Sequence, residues 1–281
     1  GRVPALFVSK SRFAGFFAIL KGKASIIATP AETDSRNEQA APLVIVMHAS
    51  VGSGHRSAAN AVAQAFEYMK VEQAEGREQP TEAFPDVPKL PDGLEVEVLD
   101  VLDFGRVVFD GDKTASMFTG PTRPIYDLTW RFTFTGRLLW GGGSIWSHLM
   151  YGKFTELVRK RRPLAIICTH ITAANVAVAA RMLTGQHFPI VCVPTDYETE
   201  GLWPHQSSNL FCVATESMAE TLRPRLVPEQ RIRITGIPTR EDFRASYDRK
   251  QTRQRLGLPQ DKRIVLALAG AYLPTPYVRF R

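Results

Sequence analysis

The chain has 281 residues, 44% of them hydrophobic and 22% charged, with a formal net charge of +7. That balance is ordinary for a soluble globular protein and suits one large domain or two small ones with a substantial core. There is no run of 18 uncharged apolar residues to form a membrane-spanning helix. Cys168, Cys192 and Cys212 each sit inside an apolar run without a C-x-x-C pair, so they read as buried thiols rather than a disulfide or metal framework.

Residues 1–41 begin apolar and cationic, with Phe13, Phe16, Phe17, Ile19 and Leu20 between Lys10, Arg12, Lys21 and Lys23, and turn polar from Thr29. Three readings fit: a membrane-surface helix, the remnant of a targeting segment, or a by-product of where the chain begins. Residues 43–47 (LVIVM) form an apolar run of buried-strand length. It leads into Ser50, Val51, Gly52, Ser53, Gly54, His55 and Arg56, after which an alanine-rich helix begins. In such a strand, turn and helix unit, the glycines allow close backbone approach and the helix start offers free N–H groups and a positive dipole end. The turn suits an anion or a polar ligand head. An imidazole at such a helix start is favoured in its neutral form, as a general base requires. The third glycine of a dinucleotide fingerprint is missing, since position 57 is Ser57, and no Gly-Lys-Ser/Thr of a P-loop follows.

Pro80, Pro85, Pro88 and Pro91 among acidic residues make 73–93 an exposed loop. Residues 94–101 (LEVEVLDV) read as a strand with one face less buried. The stretch 112–152 holds Phe118, Tyr126, Trp130, Phe132, Phe134, Trp140, Trp146 and Tyr151 interleaved with Arg123, Arg131 and Arg137. Period two and period 3.6 both fit it, so its local structure stays open between strand and helix. Charge is uneven: 121–163 carries eight basic residues against two acidic, and 67–103 carries three basic against eleven acidic. Aromatic rings beside arginines read as an interfacial surface for anionic lipid, with an aromatic core patch under solvated arginines as the alternative. Nucleic acid fits the charge alone, because no recognised binding motif accompanies it.

Residues 164–168, 189–193, 209–214 and 231–237 are nearly continuous apolar strands, and helices are expected over 172–183, 216–226 and 241–258. Strands alternating with helices in this way make an α/β fold with a Rossmann-like parallel sheet covered on both faces. Ligands in such folds collect at the carboxyl ends of the strands. His170, Asp196, Gly236 and the glycines at 52 and 54 all follow expected strands. From residue 263 a fresh strand begins, Ile264 to Leu268, followed by a glycine.

The block from Ser50 to Ala59 (SVGSGHRSAA) resembles the N-terminal signature of the monogalactosyldiacylglycerol synthase and processive diacylglycerol glucosyltransferase family, relatives of the peptidoglycan glycosyltransferase MurG. Pro194-Thr195-Asp196, Trp203, His205, residues 213–216 (VATE) and residues 235–240 (TGIPTR) agree with it. The resemblance implies a GT-B N-terminal domain over 42–245 that binds the acceptor, a linker helix over 246–262, and the start of a nucleotide-sugar-binding domain at 263–281. Ala271-Tyr272-Leu273-Pro274 departs from the family's glycine run at that point.

The implied activity is transfer of a hexose from UDP-glucose or UDP-galactose to a diacylglycerol-type lipid by a cytoplasmic, peripheral membrane protein. His55 is then the base and Asp196 shares or orients its proton, with capping as the other reading of Asp196. Gly52, Ser53, Gly54, Trp130, His170, Trp203 and His205 would line the acceptor pocket, and Gly236, Ile237 and Pro238 would meet the nucleotide sugar; for His170 a capping or packing role fits as well. No metal constellation and no cofactor is implied. The chain alone is expected to bind a uridine nucleotide weakly and to be inactive in transfer. A MurG-like transferase acting on a cell-wall lipid intermediate and a non-catalytic membrane-binding module are the alternatives.

Overall fold

The computed structural model describes residues 41–76, 89–105, 150–196, 199, 202–243 and 245–266. The N-terminal segment, most of the proline-rich loop and the aromatic stretch, Trp130 included, lie outside the described residues.

Six strands form one parallel sheet in the order β2-β1-β3-β4-β5-β6: β1 Leu43–His48, β2 Glu95–Asp100, β3 Ala165–Cys168, β4 Ile190–Cys192, β5 Leu210–Val213 and β6 Ile232–Ile234. All six residues of β1 are buried, and it lies between β2 on one side and β3 on the other, so that Met47 lies opposite both Leu99 and Cys168. The continuous apolar runs cause this arrangement, because a strand covered on both faces has no side left for polar alternation. Only β2, at an edge, keeps the acid-apolar alternation of Glu95, Val96, Glu97 and Val98.

Helix α1, Ser53–Ala74, covers one face through Ala59, Val62 and Phe66, which pack on Val44, Val46 and Ile167. The opposite face is covered by α2 (Gly152–Arg161), α3 (Ile171–Thr184) and α4 (Glu216–Leu222), whose Phe154, Val158, Val178, Met218 and Leu222 pack on Ile45, Met47 and Phe211. Each fully buried side chain of this size contributes about 1.5–3 kcal/mol of transfer free energy. Alanines at 173, 174, 177 and 180 let α3 lie close on the sheet. Gly185, at φ 65°, ends that helix in the left-handed conformation.

Three features differ from the sequence expectations. Helix α2 was hidden by the aromatic stretch that precedes it. The charged helix expected over 241–258 is a 3₁₀ turn, Glu241–Phe243, and a separate α5, Arg249–Arg255, because Asp248 accepts a hydrogen bond from the Gln251 N–H (2.7 Å) and starts a new helix there. Residues 263–266 form no strand, and Val265 and Leu266 are 91% and 76% exposed. Gln73 crosses to Leu90 with two hydrogen bonds, from its Nε2 to the Leu90 carbonyl and from the Leu90 N–H to its Oε1, pinning together the two ends of the proline-rich loop.

Candidate functional site

From β1 the chain passes to β2 on one side, and β3 lies on the other, so the loops leaving β1 and β3 diverge to opposite faces of the sheet. Such a topological switch point, at the carboxyl ends of the strands, is where ligands bind in open parallel sheets. The loop after β1 brings Gly52 and His55 to it, the loop after β3 brings Thr169 and His170, and the segment after β4 brings Thr195.

Gly52 is the N-cap of α1 at φ 99°, a conformation that suits glycine, and its lack of a side chain leaves the cap to the backbone alone. A Cβ placed at Gly52 or Gly54 would meet no atom of the described residues within 4 Å, so among these residues the space before the helix start is open. Gly54 itself is helical, so its use is the open approach rather than an unusual φ.

His55 occupies the first turn of α1 and is half-buried. Its Nδ1 lies 2.9 Å from the Thr169 carbonyl oxygen and 3.0 Å from Thr195 Oγ1. A carbonyl only accepts, so Nδ1 carries the hydrogen and Nε2 is left with a lone pair. The Thr169 hydroxyl donates to the His55 carbonyl (2.9 Å) and approaches that of Met47 (3.3 Å), tying the first turn of α1 to the ends of β1 and β3.

The His170 ring stands at 85° to that of His55, with centroids 4.6 Å apart. His170 is the N-cap of α3, its Nδ1 accepting from the Thr172 N–H at 3.1 Å. Burial, then the positive fields of His55 and His48, push its pKa down to about 3, so it is neutral. The sequence left it between pocket and cap; the structure gives it the cap and places it in contact with the site.

A second polar cluster lies at the carboxyl ends of β1 and β2. Both oxygens of Asp100 are engaged: Oδ1 accepts from the Leu102 N–H (3.0 Å) and the Ser50 N–H (3.4 Å), and Oδ2 from the Ser50 hydroxyl. His48 Nδ1, 3.9 Å from Asp100 Oδ2, is buried without a hydrogen-bond partner among the described residues. Burial lowers the His48 pKa, although Asp100 acts in the opposite sense.

Among the described residues, Asp196, Trp203, His205 and Gly236 to Pro238 make no hydrogen bond to His55. Asp196 is exposed, one position beyond Thr195. Trp203 is 4% exposed, in the core, with its ring 6.2 Å from Phe211. His205 stacks on the same ring at 5.8 Å with 18° between planes, and burial pushes its pKa down to about 3. Both give their rings to packing under β5. Gly236, at φ 80°, Ile237 and Pro238 follow β6; the Gly236 N–H reaches the Val213 carbonyl (3.2 Å), and Ile237 packs on the core. Among the described residues no group of three His, Cys, Asp or Glu side chains is placed to hold a metal ion. No helix of the described residues is long and apolar enough to cross a membrane.

Thr169 and Thr195 are the site residues that sequence reading missed. They stand 114 and 140 residues from His55, and threonine after a strand carries no periodic signal. Their position after β3 and β4 was one clue, and for Thr195 its place in the Pro194-Thr195-Asp196 block was another.

The family model for monogalactosyldiacylglycerol (MGDG) synthase matches residues 91–239, more than half of the chain. The chain belongs to this family. The matched stretch contains Thr169, His170 and Thr195 and begins after the glycine turn. A processive diacylglycerol beta-glucosyltransferase of Bacillus licheniformis is 31% identical over 120 residues, 43% of this chain and 31% of that protein. The protein of the same name from Bacillus cytotoxicus is 24% identical over 234 residues, 82% of this chain and 54% of that protein. The chain thus spans about half or less of the length of these curated relatives. The apo form of the lipopolysaccharide outer core galactosyltransferase WaaB superposes with a TM-score of 0.33 at 12% identity, covering 69% of this chain and 44% of that one. The fold assignment rests on the parallel sheet itself.

Proposed function

We propose that residues 42–245 form the acceptor-binding unit of a GT-B glycosyltransferase that moves a hexose from a UDP-sugar to a diacylglycerol-type lipid at a membrane surface, with His55 as the general base. The observation that carries the reading is the His55 tautomer. With Nδ1–H held by the Thr169 carbonyl, Nε2 is left as the proton acceptor of a ring at the carboxyl ends of the strands, in the first turn of the helix that follows Gly52.

In the proposed reaction the acceptor hydroxyl loses its proton to Nε2 as its oxygen bonds to the anomeric carbon, and the nucleoside diphosphate leaves with the electrons of the broken C–O bond. The resulting imidazolium places positive charge on a ring whose Nδ1–H already points at two oxygens. A neutral His170 adds no second cation 4.6 Å away. In this reading the positive end of α1 and the Arg56 side chain, exposed in its first turn, supply positive charge toward the leaving diphosphate. Gly236 to Pro238 and a second unit opening near residue 263 would hold the nucleotide sugar. Asp196, exposed beside Thr195, is free to meet the acceptor.

In a preparation active in sugar transfer, His55→Ala is expected to lower turnover by on the order of 10²-fold while the melting transition stays in place. Full turnover in the variant would remove His55 from the base role, and loss of the melting transition would make it a folding residue.

A further inference from the structure

The two oxygens at His55 Nδ1 come from different strand ends, the Thr169 carbonyl after β3 and the Thr195 hydroxyl after β4. One acceptor favours the Nδ1–H form and leaves the ring room to tilt about the N–H···O axis. A second, at 3.0 Å from another segment, makes the bond three-centred and defines the plane in which the ring lies. Turning the ring by half a turn about Cβ–Cγ would put a carbon where Nδ1 stands and forfeit both contacts.

Thr195 cannot be the donor to this nitrogen in the observed arrangement. If its hydroxyl gave its hydrogen to Nδ1, that nitrogen would turn a lone pair toward the Thr169 carbonyl 2.9 Å away, and two acceptors at that distance repel. Thr195 therefore presents a lone pair. Thr169 is itself held, because its hydroxyl is tied to the His55 carbonyl and its N–H to the Met47 carbonyl (2.9 Å). The carbonyl is thus a fixed reference and the Thr195 hydroxyl the adjustable partner.

We propose that Thr195 is a positioning residue for His55, its hydroxyl oxygen holding the imidazole in one plane and in the Nδ1–H form so that Nε2 faces the acceptor as a lone pair. This rests on the reading of His55 as the base, yet the positioning itself is measurable without any sugar transfer.

The test is long-range proton–nitrogen NMR of the chain labelled with 15N-histidine, at a pH where the histidines are neutral, on the unaltered protein, Thr195→Val and Thr195→Ser. In the unaltered chain the His55 ring is expected to carry hydrogen on Nδ1 and none on Nε2. Thr195→Val keeps the shape and removes the oxygen, and the tautomer ratio is expected to move roughly fivefold toward Nε2–H, the worth of one net hydrogen bond. Thr195→Ser restores it. A Nε2–H ring in the unaltered chain overturns the proposal without any variant. An identical ratio in the unaltered chain and Thr195→Val overturns it as well, provided that both melt alike. If the valine chain fails to fold, Thr195→Ala, which leaves room for the neighbours to settle, takes its place under the same criteria. Failure of the base reading shows separately, as unchanged turnover in His55→Ala.

Discussion

The rings of His55 and His170 meet at 85° with centroids 4.6 Å apart, and the two histidines are held in opposite tautomers. Nδ1 of His55 donates to a carbonyl, whereas Nδ1 of His170 accepts from the Thr172 N–H and leaves its hydrogen on Nε2. The helix cap thereby does two things: it starts α3 and it keeps a buried imidazole uncharged beside the ring proposed to take a proton. A charged His170 would abandon the Thr172 N–H, since a protonated imidazole has no acceptor.

His170 makes stability depend on pH. In the unfolded chain it titrates near 6.5, and in the folded chain near 3, so between those values the unfolded state binds the extra proton. The contribution is complete above about pH 6.5 and is lost as pH falls toward 3, at up to about 1.4 kcal/mol per pH unit, or on the order of 2 kcal/mol by about pH 5. His170→Asn keeps a capping side chain and removes the titration. It is expected to cost about 1–2 kcal/mol at neutral pH, where the smaller side chain leaves a void, and to unfold less steeply with acid. Urea titrations across pH 4–7 measure both. Parallel acid slopes would mean that His170 is charged in the fold. His205, held near 3 by burial, supplies a slope of its own in both proteins.

Asp100 joins the ends of β1 and β2. Its carboxylate accepts from the Ser50 N–H, the Ser50 hydroxyl and the Leu102 N–H. Asp100→Ala leaves those donors without their acceptor and is expected to destabilise by about 1–3 kcal/mol, with Ser50→Ala costing less because the backbone contacts survive. Because Ser50 opens the glycine turn, Asp100→Ala should also raise amide exchange from Ser50 to Gly54. Protection there equal to that of the unaltered protein would show the turn to be set by Gly52 alone.

Much of the sheet is legible in the sequence because LVIVM, AIIC and LFCV are buried on both faces and hence continuously apolar. The position of His55 in the first helical turn follows from the glycines before it. What the sequence hides is of two kinds. Partners of polar atoms come from remote loops, so Thr195 and Thr169 are found only once β1, β3 and β4 are side by side. Asp196, the more conspicuous acid, stands one residue past the contact. Aromatic residues are ambiguous by nature: Trp203 and His205 look like pocket-lining groups, and both spend their rings on Phe211. Asp248 divides the charged C-terminal stretch because a side-chain cap outweighs helix propensity on an exposed segment.

Not all of the basic residues between 121 and 163 are available to a membrane. Arg161 is bound to Glu95 (3.0 Å) and Glu97 (2.9 Å), and Arg159 and Lys160 pair with Glu156. Binding to anionic vesicles, if it follows charge, should fall with salt and should weaken by about 1 kcal/mol for each of Arg123, Arg131 and Arg137 replaced, and by less for Arg161→Ala. Co-sedimentation with vesicles of neutral lipid and of one-third anionic lipid makes the comparison. Equal binding to both, insensitive to salt, would sink the electrostatic account.

Gly52 and Gly54 separate stability from function at the turn. Among the described residues both have open space where a Cβ would stand, yet of the two only Gly52 has a positive φ, at 99°. Gly52→Ala places a side chain in a conformation that costs about 1–3 kcal/mol, with no clash involved, and should lower the melting temperature. Gly54→Ala adds a methyl group to a helical residue and removes backbone freedom from the unfolded chain, which is worth up to about 1 kcal/mol in favour of the fold. If the openness before α1 exists for a ligand, the same methyl group occupies that approach. Gly54→Ala is then expected to melt no lower than the unaltered protein and to lose transfer activity, with KM for the acceptor rising before kcat falls. An alanine variant that is both stable and fully active would show that nothing approaches the turn closely at Gly54, and the acceptor would have to reach His55 from the side of Thr195 instead.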